Sequence, residues 1–236
     1  MTRSSKQFRS YIIFLALLVV GLMSSCDQQK KGGVEDTEPV GDIIQETDKE
    51  LIYEVPLNGM NEKANGDRTV SGMAKFVVYN GTLDITIQAE GLEPNTMHLQ
   101  HLHGLEELGI ANCPDGLEAD KNQDGFVDLI ETRESAGITM IPLHDNPSSL
   151  TIKTETYPVS DENGKMSYKK TVDLAELGAA YNKKFGKDTL NLNKHIIFLH
   201  GVSSDAELPE SVQSLPEVPA HVTLPVACGS LDDAEV

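Results

Sequence analysis

The chain has 236 residues, with 19 basic against 37 acidic side chains, a net charge of −18, three cysteines and no tryptophan. That length holds a targeting segment plus one sizeable domain. The charge repels polyanions, so nucleic acid is set aside as a partner, and no Lys or Arg follows Lys194 to soften this.

The first residues read as an address. Arg3, Lys6 and Arg9 precede the apolar run "YIIFLALLVVGLM", and "SSC" then places Cys26 after two small residues. A cationic start, an apolar stretch and small residues before a cysteine make up a bacterial lipoprotein signal. The run is short for a comfortable membrane span. Residues 1–25 are therefore expected to be removed, with Cys26 as the lipid anchor. The mature protein is expected in the bacterial cell envelope, on the periplasmic or cell-surface side, touching the membrane through that anchor. Losing three basic and no acidic side chains takes its net charge from −18 to about −21. Residues 26–49 are polar and contain Gly, as a flexible tether would.

A single domain is expected over 50–236. It opens with "ELIYEVPL" and "TVSGMAKFVVY", followed by Asn80-Gly81 and "TLDITIQAEGL". Leu83, Ile85, Ile87 and Ala89 alternate with polar residues, as in a half-buried strand, and Asn-Gly between two such runs is a strong hairpin signal. Further strands are expected at "TMHLQHLH", "GITMIPL", "SLTIKTETY", "KMSYKKTV", "HIIFLHGV" and "HVTLPVACG". "DLAELGAAYNKKFG" reads as the one helix, opened by an Asp and stopped by Gly186. Many short strands without βαβ alternation make the fold all-β, an antiparallel barrel or sandwich with long loops.

Three patterns carry chemistry. With Cys26 taken by lipid, Cys113 and Cys228 remain; in an oxidising compartment they are expected to pair and close a loop of more than a hundred residues. Such a loop stabilises by about 4–5 kcal/mol in the chain-entropy model. Second, "DKNQDGFVDLIE" fits a twelve-residue calcium loop. Asp120, Asn122 and Asp124 supply side-chain oxygens, Gly125 the sharp turn, Phe126 a carbonyl, Asp128 a water-mediated contact and Glu131 a bidentate carboxylate. No second loop is present to pair with it, so its expected role is structural.

Third, "HLQHLHG" holds three of the seven histidines. On a strand His101 and His103 share one face, and His98 takes the opposite parity. A His-x-His pair can offer two nitrogens to one metal ion. Cys113 follows soon after, "HIIFLHG" puts His200 at the end of an apolar run, and the C-terminus reads "LPVACGSL".

In this order the motifs resemble the copper/zinc superoxide dismutase barrel and its relative, the CHRD-type domain. The resemblance implies a Greek-key barrel over residues 50–236, with copper held by His101, His103 and His200. It implies that His98 supports the fold from inside and that Cys113 and Cys228 form the disulfide. Two departures stand out. No His occurs between 104 and 143, so the family's bridging histidine and zinc loop are not recognisable, and Pro225 stands where an anion-guiding arginine belongs. His144 in "PLHDN" is a replacement ligand or a surface-turn histidine.

The expected function is transition-metal binding, most simply copper, beside a structural calcium loop, without efficient catalysis. The alternatives are a copper-only superoxide dismutase and a CHRD-like structural or partner-binding module. No protein partner is legible. No Gly-rich phosphate loop or nucleophile elbow is present.

Overall fold

The computed structural model describes residues 50–231; the signal segment, Cys26 and the tether lie outside the described residues. Its frame is eight strands: β1 (Leu51–Gly59), β2 (Ser71–Tyr79), β3 (Thr82–Glu90), β4 (Gln100–Gly104), β5 (Ile138–Pro142), β6 (Met166–Asp173), β7 (Ile196–His200) and β8 (Pro225–Ser230). They pair antiparallel throughout, in the order β5-β4-β7-β8-β1-β2-β3-β6. The fold is all-β, as expected from the sequence.

The β2–β3 hairpin shows how local chemistry sets register. Asn80 and Gly81 both adopt positive φ, 46° and 75°, which a tight hairpin turn of matching twist requires. Tyr79 then faces Thr82, and Leu83, Ile85 and Ile87 become fully buried. A slip of one residue would turn all three to solvent.

β4 and β7 are buried along their whole length, so they are packed on both faces. Leu102, Ile197 and Leu199 join the main core with Phe76 and Ile85. Ile196 and Phe198 face the other way, into a smaller cluster with Ala111, Ala136 and Cys228. The segment between β4 and β5 covers that outer face. Cys113 ties it to Cys228 on β8, 115 positions further along the chain, with Cα atoms 5.9 Å apart. The expected disulfide is formed.

Among the described residues three helices complete the frame: α1 (Arg133–Ala136), α2 (Leu174–Phe185) and α3 (Ala220–Thr223). α2 is the one expected from sequence. Asp173 caps it by accepting the Glu176 amide at 2.8 Å, and Gly186, at φ 66°, ends it. Leu177 and Tyr181 bury its inner face. β5 and β6 end the strand order and share no ladder; a 3-10 turn at Pro147–Ser149 touches both edges and α2.

Three strand expectations need correction. "SLTIKTETY" is irregular, because its hydroxyls take up backbone amides locally instead of leaving them to a ladder: Ser149 Oγ accepts the Thr151 amide at 3.2 Å and Thr154 Oγ1 the Thr156 amide at 3.3 Å. "TMHLQHLH" becomes β4 only at Gln100; before that, Met97 makes an isolated bridge to Val159. In "HVTLPVACG" the first residues belong to the helical turn α3, and pairing starts at Pro225.

Candidate metal centre

In β4–β7 pairing His101 stands opposite Phe198 and His103 opposite Ile196. Opposite residues of an antiparallel pair share a face, so the two histidines lie on the outer side, away from Leu102. His200 ends β7 two residues after Phe198 and joins them. Register shifts occur beside Leu102/His103 and beside Leu199/His200, the kind of irregularity that re-aims side chains at sites.

The three imidazoles form a triangle, with ring centroids 5.3 Å (His101–His200), 5.8 Å (His103–His200) and 6.0 Å (His101–His103) apart. Phe198 packs its ring edge-on against His103 and His200, at 5.0 and 5.5 Å. All three histidines are buried, exposed by 3%, 1% and 2% for His101, His103 and His200.

Each ring uses one nitrogen and leaves the other bare. His101 Nε2 lies 2.8 Å from the Tyr157 hydroxyl, which itself donates to the Ile152 carbonyl, so the histidine must be the donor. His200 Nδ1 donates to the Thr223 carbonyl at 2.8 Å. His103 Nε2 lies 3.1 Å from Thr139 Oγ1, and donation in that direction leaves its Nδ1 with a lone pair. The opposite nitrogens, His101 Nδ1, His103 Nδ1 and His200 Nε2, are buried without any hydrogen-bond partner. A buried polar atom without a partner costs about 1–3 kcal/mol, and here three occur together. Among the described residues these histidines are the one group of three or more His, Cys, Asp or Glu whose ligand atoms all lie within 4.8 Å of one another.

Electrostatics favour the neutral form that a metal needs. Burial pushes His101 and His103 well below the ordinary imidazole value, and the neighbouring rings push further the same way. Burial lowers His200 to about 4. All three rings are therefore uncharged at neutral pH, with lone pairs available. The residues present fit a metal ion.

His98 is placed differently. Its ring nitrogens lie 3.0 Å from the His200 carbonyl and 3.1 Å from the Glu93 carbonyl, so it braces the backbone that carries His200. Burial lowers its pKa despite those contacts. His144 is neither a spare ligand nor a surface residue. It is buried, its Nδ1 accepts the Asn146 amide at 3.0 Å, and its Nε2 donates to the Thr151 carbonyl at 2.8 Å.

The calcium-type segment is not gathered into a comparable cluster. Gln123 and Gly125 take positive φ, 61° and 91°, and the loop closes on its own amides. The Asp120 carboxylate accepts from Asp124 and Gly125, Asn122 from Asp124, and Asp124 from Phe126. Glu131 accepts from Lys121, Asn122 and Asp128, and Asp128 accepts from Ile130, Glu131 and Gln213. Phe126 buries its ring in the main core. Asn61 latches the loop to β8, donating to the Val127 and Pro225 carbonyls at 2.9 Å each.

Sequence reading missed Tyr157, Thr139 and Thr223, which orient the three rings. Tyr157 lies 56 residues from His101, in the segment expected to be a strand, and nothing local marks it as a histidine partner.

Fold and site together define an all-antiparallel β protein with a buried, nitrogen-only site able to hold a metal ion. No protein-family model matches the chain, and no curated protein matches it. Among solved structures, a single-mutant form of a SOD-like protein from Bacillus subtilis is similar, with 18% identity, a TM-score of 0.37, and 75% of this chain and 96% of that chain covered. A double-mutant form of a SOD-like protein from the same organism gives 17% identity, a TM-score of 0.35, and coverages of 75% and 95%. Residue roles here rest on this chain's own geometry. The disulfide points to a compartment outside the cytoplasm. No helix among the described residues is long and apolar enough to cross a membrane.

Proposed function

We propose that this protein is a lipid-anchored, extracytoplasmic metal-binding protein whose resident ion is copper, held by His101 Nδ1, His103 Nδ1 and His200 Nε2. One observation carries the reading: each of the three rings keeps one buried nitrogen without a partner, and the three side chains can bring ligand atoms within 4.8 Å of one another. Three imidazoles without a carboxylate or a hard-oxygen set suit copper and exclude magnesium or calcium at this point. Bound there, copper would supply one-electron redox capacity and Lewis acidity. The protein's own part is to hold three neutral rings in fixed tautomers. Tyr157, Thr139 and Thr223 do this from outside the triangle, as hydrogen-bond partners of metal-ligating histidines commonly do.

Efficient superoxide dismutation is not part of the proposal. Pro225 occupies the position where the resembled family guides its anion, and a net charge of −18 gives no long-range steering to a small, freely diffusing anion. The carboxylates of 120–131 are proposed to take calcium as a structural clamp. That requires them to exchange backbone amides for the ion, and weak affinity is expected of a lone extracellular loop.

The test is metal stoichiometry. Protein stripped with chelator and titrated with copper should take one ion per chain at the histidines. His101→Ala or His200→Ala should abolish it while the fold persists. Unchanged copper uptake after loss of both His101 and His103 would sink the site.

A further inference from the structure

His101 and His200 also belong to the wall of a cavity of about 730 Å³. That size lies within the range of sites that enclose small organic molecules. Much of the remaining wall is aliphatic, with Leu99, Leu150, Ile152, Leu215, Val218 and Val222 prominent in it, interrupted by four threonines. Lys153 and Lys184 also stand on it, against the single acidic side chain of Glu155. Lys184, an exposed residue, donates its ammonium to the Leu150 carbonyl at 2.7 Å.

Charge and shape together select an occupant. The hydrogen-bond partners of the three rings are two hydroxyls and one carbonyl, with no carboxylate among them. A divalent ion on three neutral imidazoles therefore keeps its full charge in a buried setting, and an uncompensated buried charge is costly. The compensating anion has to come from outside. A small inorganic anion would satisfy the charge but would leave the aliphatic wall facing water.

We propose that the cavity binds an amphiphilic organic anion of the medium-chain carboxylate class, with its head toward the His101–His200 side and the two lysines and its apolar body against the leucine and valine wall. The proposal rests on the metal site proposed above. The aliphatic wall supplies the chain-length preference: burying each methylene tightens binding about fourfold. The head supplies the preference for an acid over the matching alcohol.

The experiment uses the full chain, copper-loaded, and a photoreactive decanoate bearing a diazirine near its chain end, with crosslinks mapped by mass spectrometry. Labelling is expected on the Leu215–Val222 segment and near Ile152. Unlabelled decanoate should compete at least tenfold better than decanol, and acetate should not compete at comparable concentration. Decanoate should also shift the copper electron paramagnetic resonance spectrum, a readout independent of any activity. Val218→Asp should cut labelling at least tenfold. Leu215→Asp, at an exposed position, repeats the test without threatening the fold. Equal competition by decanol and decanoate would overturn the proposal, as would labelling indifferent to both substitutions. Copper stoichiometry is measured on the same samples. Copper bound without cavity labelling overturns this proposal alone, whereas failure to bind copper overturns the metal reading as well.

Discussion

Acid should loosen the metal-free protein through His200. Burial lowers this ring from 6.5 in the unfolded chain to about 4 in the fold. Its folded value lies below its unfolded one, so between those limits the unfolded chain holds more protons. Stability is then complete above pH 6.5 and is lost as the pH falls through 6.5 toward 4. The gap is worth about 3 kcal/mol from this one residue, a large share of a typical domain's 5–15 kcal/mol. His101 and His103 shift the same way, but protonating one ring opposes protonating its neighbours, so the three contributions do not simply add. Urea unfolding of the apo protein at pH 7.5, 6.5, 5.5 and 4.5 measures the effect. With a slope of roughly 2 kcal/mol per molar, a loss of about 2–3 kcal/mol lowers the midpoint by about 1–1.5 M. His200→Gln removes the titrating ring and keeps an amide donor for the Thr223 carbonyl, so its midpoint should fall less. Carboxylates titrate in both proteins and cancel in the comparison. Equal pH slopes for the two proteins would refute the reasoning.

Three further outcomes follow from named contacts. Tyr157→Phe removes the acceptor of His101 Nε2–H and should weaken copper affinity about 10–100-fold in a chelator competition, with a small change in melting. Replacing Cys113 and Cys228 together by Ser opens the 115-residue loop and should cost about 2–5 kcal/mol in denaturant unfolding; an unchanged midpoint would show that the bridge constrains nothing. If the 120–131 loop takes calcium, adding the ion should raise the melting temperature of the wild type, and Glu131→Gln should remove that gain. Identical melting curves with calcium and with chelator would exclude the clamp.

Short-range features of this protein are legible in its sequence. Asn80-Gly81 announces the hairpin because both residues tolerate positive φ, and Asp173 and Gly186 bound α2 because one accepts a free amide and the other permits the left-handed cap. The two-residue spacing of His101 and His103 already puts them on one face, since strand geometry has a period of two. Cys113 and Cys228 pair as a count of leftover thiols suggests. These readings need only neighbours along the chain. The segment from Ser149 to Tyr157 has the same alternating look, yet it forms no strand, because pairing depends on a free edge elsewhere and its hydroxyls satisfy the backbone locally.

The order of the motifs already names His200 as the third ligand, but tertiary structure brings it there, because β7 must first insert beside β4. Tertiary structure alone decides which nitrogen of each ring is free. That choice is made by Tyr157, Thr139 and Thr223, which lie 56, 36 and 23 residues from their histidines. Sequence spacing determines the face on which a side chain stands. The group that meets it there is set by the strand order and by the loops folded over it, through contacts that no local pattern encodes.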